Sequence, residues 1–262
     1  MNDRAVAEYI VKWLGEYLTG SHSKGFVVGI SGGVDSAVTS ILAAMTGKPT
    51  ICVSLPIHQP PGHLSRAEQH IGLLEKRFRN ARGASVDLTP AYDTFVASFR
   101  PEAEQDRIDL TNANTRARLR MTALYYFAGI GNLLVTGTGN KIEDFGVGFF
   151  TKYGDGGVDI SPIGDLTKSE VFSLADYLGV TPSILNAAPA DGLFDDDRSD
   201  EDQIGAGYPE LEWAMEQVES GVSADSFSGR EREVYEIYIK RNRANRHKMA
   251  TPPVCIIPKN IK

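Results

Sequence analysis

The chain has 262 residues, 42% hydrophobic and 23% charged, which is enough apolar side chain for a sizeable core and speaks against a disordered or fibrous protein. Its 27 Lys and Arg against 34 Asp and Glu give a formal net charge of -7, which argues against tracking nucleic acid by bulk electrostatics. The two cysteines, Cys52 and Cys255, exclude a disulfide scaffold and a zinc site built mainly from thiolates, and point to a reducing, cytoplasmic setting.

In chain order, Ala5, Val6, Tyr9, Ile10, Trp13, Leu14 and Tyr17 recur at helical spacing among charged residues, so residues 1–20 predict an amphipathic helix rather than a signal peptide. The apolar run Phe26 to Ile30 predicts a buried strand, with a helix over Ala37 to Met45 after it. Ile51 to Leu55 predicts a second strand, Ser65 to Phe78 a helix, Ala84 to Leu88 a third strand, Ile108 to Ala128 a long helix and Asn132 to Thr138 a fourth strand. Strands alternating with helices imply an α/β fold, a doubly wound parallel sheet with helices on both faces. From Gly139 to Ile160 the chain is glycine-rich yet carries Phe145, Phe149, Phe150 and Tyr153, which suits a functional loop better than a disordered linker. Thr167 can cap a helix reaching Tyr177, with Glu170 at the third position and Gly179 as the stop. Pro189 to Asp202 reads as an acidic turn segment, Pro209 to Val218 and Arg230 to Asn245 as helices, and the tail as a strand-like piece. No apolar run is long enough to span a membrane, no internal repeat occurs, and no linker divides the chain, so residues 1–262 are expected to form one domain.

The strongest chemical signal is Gly29-Ile30-Ser31-Gly32-Gly33-Val34-Asp35-Ser36, set between the first strand and its helix. Ligands of open parallel sheets bind beyond the carboxyl ends of strands, and a glycine-rich turn lets backbone N–H groups close on phosphate oxygens. Ser31 and Ser36 add hydroxyl donors, and Asp35 can hold Mg²⁺ against a pyrophosphate group. The turn lacks the lysine of a Walker A sequence and the glycine spacing of a dinucleotide fingerprint.

This loop resembles that of the ATP pyrophosphatases, which have the adenine nucleotide alpha hydrolase-like fold. Four further stretches narrow the resemblance to the ammonia-dependent NAD synthetases: Asn114 to Met121, Gly137-Thr138-Gly139-Asn140-Lys141-Ile142-Glu143, Phe149 to Ile160, and Leu166-Thr167-Lys168, with His247-Lys248 downstream. It implies a ligase that amidates nicotinic acid adenine dinucleotide (deamido-NAD) with ammonia, through an acyl-adenylate, to give NAD, AMP and pyrophosphate. It further implies that Gly29, Ile30, Ser31, Gly32, Gly33, Val34, Asp35, Ser36, Thr138 and Lys168 bind ATP. Asp35 and Glu143 would be Mg²⁺ ligands, with Lys168 beside them in catalysis. Arg118, Lys152, Asp159, His247 and Lys248 would bind deamido-NAD near the interface of a homodimer. No nucleic acid or membrane partner is implied.

Two positions depart from the pattern. Ser54 stands where the family often has an arginine near the nucleotide, which directs attention to His58 and Gln59, and Ala190 stands where a threonine often contacts ATP. The acidic run Asp195 to Asp202 reads as a solvated loop or a cation-attracting mouth. Another amide-forming or thiolating ATP pyrophosphatase, amidation of nicotinic acid mononucleotide, and a nucleotide sensor without turnover are the competing readings. Too few cysteines and a net negative charge weigh against thiolation of RNA. No glutaminase domain is expected, because the phosphate loop begins at Gly29 and neither cysteine has a histidine beside it in sequence.

Overall fold

Four short strands, each followed by a connection that returns over the sheet, set the architecture of the computed structural model, which describes residues 1–59, 61–187 and 199–262. In chain order the main elements are α1 (Asp3–Ser21), β1 (Gly25–Gly29), α2 (Val34–Met45), β2 (Thr50–Ser54), α3 (Pro61–Arg77), β3 (Ala81–Ser85), α4 (Thr89–Ala97), α5 (Gln105–Gly131) and β4 (Leu133–Thr136). A π-helical turn (Ile142–Val147), α6 (Lys168–Leu178), α7 (Pro182–Leu185), α8 (Asp200–Ile204), α9 (Tyr208–Glu219) and α10 (Gly229–Met249) follow. Ala190 and the part of the acidic run from Asp195 to Arg198 lie outside the described residues.

All strand pairs are parallel and the order is β3-β2-β1-β4. Phe26 and Val28 point into the core shared with α1, α2, α3 and α6, whereas Val27 points into the opposite core against Ala128 and Leu124 of α5. Strands buried on both faces in this way are continuous apolar runs rather than alternating ones, which is why Phe26 to Val28 and Leu133 to Val135 read as they do. From β1 the chain winds outward to β2 and β3, then crosses to β4 on the other side of β1. That reversal opens a crevice at the carboxyl ends of β1 and β4, where ligands of doubly wound sheets bind.

Several boundaries differ from the sequence reading. β3 lies at Ala81–Ser85 instead of residues 84–88; beyond it the Val86 and Leu88 N–H groups still donate to the Ser54 and Pro56 carbonyls before α4 begins at Thr89. α4 carries no strong apolar stripe. The glycine-rich loop folds locally into the π-helical turn, whose Ile142 and Val147 are buried against α9 and α10. The tail after Met249 forms no strand; it is exposed, and ends in a 3₁₀ turn at Lys259–Ile261. Among the described residues no helix is long and apolar enough to cross a membrane.

One buried pair carries a pH dependence of stability. His70 of α3 sits beneath α2 with Nε2 2.9 Å from Ser40 Oγ, whose own proton goes to the Ala37 carbonyl. Burial pushes the His70 pKa down from 6.5 to about 4. The unfolded chain therefore takes up a proton that the fold refuses: the contribution is fully present above pH 6.5, fades as pH falls and is lost below about pH 4. It amounts to about 3 kcal/mol. Urea denaturation across this range should show the slope in the native sequence and a smaller one in His70→Gln; equal slopes would place the effect elsewhere.

Candidate active site

The turn after β1 is preorganised by its own serines. The Ser31 and Ser36 hydroxyls lie 3.1 Å apart, the Ser31 hydroxyl accepts from the Gly33 N–H at 3.1 Å, and the Ser36 hydroxyl donates to the Gly33 carbonyl at 3.0 Å. Gly32 takes φ +86°, and a Cβ there would lie 2.7 Å from the His63 carbonyl of α3, so this position requires glycine on both counts. Gly33 caps α2 without a side-chain hydrogen bond, which leaves the N–H groups of the first turn available to an anion.

Two carboxylates from opposite sides of the crevice meet one ammonium. Asp35, in the first turn of α2, accepts from Lys168 Nζ at 2.7 Å; Glu143, in the π-helical turn beyond β4, accepts from the same nitrogen at 3.0 Å. Thr167 places Lys168 here by capping α6 in a capping box with Glu170, and the Lys168 side chain is only 5% exposed. Burial alone would favour neutral Lys168, but the charges of Asp35 and Glu143 outweigh it and raise its pKa above the ordinary value. Asn140 braces the pair: its Nδ2 donates to Asp35 at 3.2 Å, while its Oδ1 accepts the N–H groups of Ile142 and Glu143.

The cleft above this cluster is lined by Gly29 to Ser36, Thr138, Glu143 and Lys168, so every residue expected at the nucleotide lies in one place. Two hard carboxylates converging on one cation also suit Mg²⁺, which takes one or two protein carboxylates together with substrate phosphates. Among the described residues no group of three or more His, Cys, Asp or Glu is arranged to hold a metal by itself.

The residues expected at the second substrate are placed differently. Arg118 Nε donates to the Lys152 carbonyl at 3.3 Å, Lys152 Nζ to the His247 carbonyl at 2.6 Å, and Lys248 Nζ to the carbonyls of Gly148 and Phe150. These four form a cluster where α5, the glycine-rich loop and the end of α10 meet. Gly154 lets that loop approach α5, because a Cβ there would lie 2.9 Å from the Ala117 Cβ. Asp159 is set apart: its carboxylate accepts from Tyr125 and from the backbone N–H of Val135. None of the five lines the cleft beside Asp35 and Glu143.

Arg116, Arg118 and Arg120 go three ways, as their spacing on a helix requires. Arg116 is buried and stacks over Tyr92 at 5.1 Å, while Arg120 enters the cleft and donates to the Leu55 carbonyl and to Gln59. Gln59 thus lies in the cleft, whereas His58 turns away to pair with Asp93 at 2.7 Å.

Sequence reasoning missed Tyr208, and reached Asp200 only as one member of an acidic run read as a solvated loop or a cation-attracting mouth. The Tyr208 hydroxyl lies 2.6 Å from Glu143 Oε1 and 3.0 Å from Asp200 Oδ2, and its ring faces Lys168 Nζ at 4.8 Å. A tyrosine opening a helix before proline looks like core, and Asp200 is hidden in an acidic run whose described part folds as α8, capped by Ser199.

The family model described as NAD synthase matches residues 6–252. The NH(3)-dependent NAD(+) synthetase of Methanococcoides burtonii is 36% identical over 258 residues, 95% of this chain and 94% of that protein. Among solved structures, the NMN synthetase from Francisella tularensis matches with a TM-score of 0.82 and 32% identity over 99% of each chain. The NH3-dependent NAD synthetase from Campylobacter jejuni matches in fold, with a TM-score of 0.78 at 23% identity over 98% of this chain and 100% of that one.

Proposed function

Because the chain belongs to the NAD synthase family, we propose that it amidates deamido-NAD with ammonia at the expense of ATP, forming NAD, AMP and pyrophosphate. The observation that carries this reading is the convergence of Asp35 and Glu143 on one cation beside the phosphate loop. Amide formation needs a carboxylate oxygen turned into a leaving group. Attack of the substrate carboxylate on the α-phosphorus of ATP expels pyrophosphate and gives an acyl-adenylate; ammonia then attacks the acyl carbon, AMP leaves and the nitrogen sheds a proton. No protein nucleophile is required.

The N–H groups and hydroxyls of residues 29–36 cradle the phosphates, and Thr138 binds ATP from the end of β4. Asp35 and Glu143 would hold Mg²⁺, which would supply charge neutralisation on the phosphates. Lys168 is poised to move from the carboxylates to a phosphate oxygen. Arg118, Lys152, His247 and Lys248 offer a basic seat for deamido-NAD, with Asp159 beyond it. Exposed Tyr126 and Ile130, 69% and 75% accessible on α5, suit the interface of a homodimer. Free Cys52 and Cys255 suit a reducing cytoplasm.

A second reading, amidation of nicotinic acid mononucleotide, is favoured by the likeness to the Francisella tularensis NMN synthetase. Both are tested by supplying the purified protein with ATP, Mg²⁺, ammonium chloride and either acceptor, and following pyrophosphate and the amide by mass spectrometry. Pyrophosphate release that depends on deamido-NAD, with the larger kcat/KM, supports the first reading; a larger kcat/KM for the mononucleotide supports the second; release with neither overturns both.

Tyr208 is expected to act through Glu143. Tyr208→Phe keeps the ring against Lys168 but removes the hydroxyl, so kcat should fall about tenfold, as for one hydrogen bond to a charged group. The Mg²⁺ concentration giving half-maximal rate should rise, with KM for the acceptor unchanged. An unaltered Mg²⁺ dependence and kcat would confine Tyr208 to packing.

A further inference from the structure

The cleft is richer in anions than a site for ATP should be. Among the described residues Asp35, Glu143, Asp144, Asp155 and Asp200 line it, with Lys168, Arg66 and Arg120 as its Lys and Arg side chains. Lys168 is already shared between two carboxylates, and Arg120 is held by Leu55 and Gln59. Arg66 differs from both. It projects from α3 onto the phosphate loop, where its Nε donates to the Gly32 carbonyl through a long 3.3 Å bond and its Cβ lies 3.2 Å from where a side chain at Gly32 would begin. Among the described residues no carboxylate pairs with it, whereas surface arginines such as Arg4, Arg230 and Arg232 each find a glutamate. Its side chain is half-buried at the loop.

A planar guanidinium whose terminal N–H groups have no partner among the described residues, fixed at the edge of a phosphate-binding turn, matches two oxygens of a phosphate better than any other side chain there. We propose that Arg66 is a ligand of the pyrophosphate half of ATP. In the first step the bond between the α-phosphorus and its bridging oxygen breaks, the electron pair leaves with pyrophosphate, and Arg66 donates hydrogen bonds to the oxygens on which that charge collects. This role rests on residues 29–36 being the phosphate loop; it is independent of which acceptor is amidated.

Arg66→Met keeps the stem against Gly32 and removes the guanidinium, while Arg66→Lys restores the charge without the fork. The probes are Mg²⁺ with α,β-methylene ATP, titrated by calorimetry, and inhibition of turnover by added pyrophosphate. In Arg66→Met both dissociation constants should rise about tenfold, equivalent to about 1.4 kcal/mol. Arg66→Lys should recover part of this, and KM for the acceptor and the thermal midpoint should stay near those of the unaltered protein. Constants within twofold of the unaltered protein, or an equal loss of affinity for nucleotide and acceptor, would overturn the proposal. Failure of the unaltered protein to bind the analogue would overturn the loop assignment and Arg66 with it. Analogue binding that weakens in Arg66→Met, with neither acceptor amidated, would uphold Arg66 while overturning the amidation reading.

Discussion

Asp35→Asn or Glu143→Gln should lower kcat by about 10²-fold or more, the loss typical of removing an electrostatic contact made in the transition state. The two carboxylates reach the crevice from different elements, one at the N-terminus of α2 and one in the turn beyond β4, so neither can stand in for the other. Either substitution leaves the shape of the side chain and the bond from Lys168 to the surviving carboxylate at 2.7 or 3.0 Å. The buried cluster of two carboxylates and one ammonium then becomes a simple pair with no net charge, which burial tolerates better than an unpaired ion. The fold should therefore survive, and circular dichroism with a thermal midpoint near that of the unaltered protein is the control. Near-normal turnover in both variants would remove Asp35 and Glu143 from the metal assignment.

The parts of this site that follow a strand are legible in the sequence. A buried apolar run ending in Ser31-Gly32-Gly33 can do little else than turn tightly at the carboxyl edge of a sheet, and Lys168 at the first position of a capped helix gains nothing from the helix dipole there. Asp35, Glu143 and Lys168 accordingly lie together. The sheet was legible for the same reason, since Val27, Val28, Val53 and Val135 are buried on both faces. What local pattern does not encode is which distant elements close over the site. Tyr208 meets Glu143 across 65 positions of sequence, and Arg66 meets Gly32 across 34. Nothing near either residue signals the encounter. β3 was displaced because Arg82, Gly83 and Ser85 make it an edge strand with little apolar content, so its pairing with Ile51 and Val53 of β2, rather than its own composition, fixes its place.

Product should form from ammonium chloride and not from glutamine alone. Releasing ammonia from glutamine calls for a nucleophilic cysteine with its base, and neither cysteine of this chain has the surroundings for it. Cys52 lies inside β2, where burial, aided by the charge of Glu75, pushes its thiol up to about 12, so the thiolate is scarce at neutral pH. Cys255 is exposed in the tail after α10, and no histidine adjoins it in the sequence. The nucleophile in the second step is then dissolved ammonia, whose nitrogen lone pair is available only in the neutral form. At a fixed, subsaturating total ammonium concentration the rate should climb as pH rises and the neutral fraction grows, until groups of the protein titrate. The measurement supplies ATP, Mg²⁺ and deamido-NAD with either ammonium-free glutamine or ammonium chloride and follows NAD by mass spectrometry. Robust NAD formation from glutamine alone, surviving both Cys52→Ala and Cys255→Ala, would mean that this chain generates its ammonia by chemistry that needs neither thiol, and the assignment of free ammonia as the donor would fall.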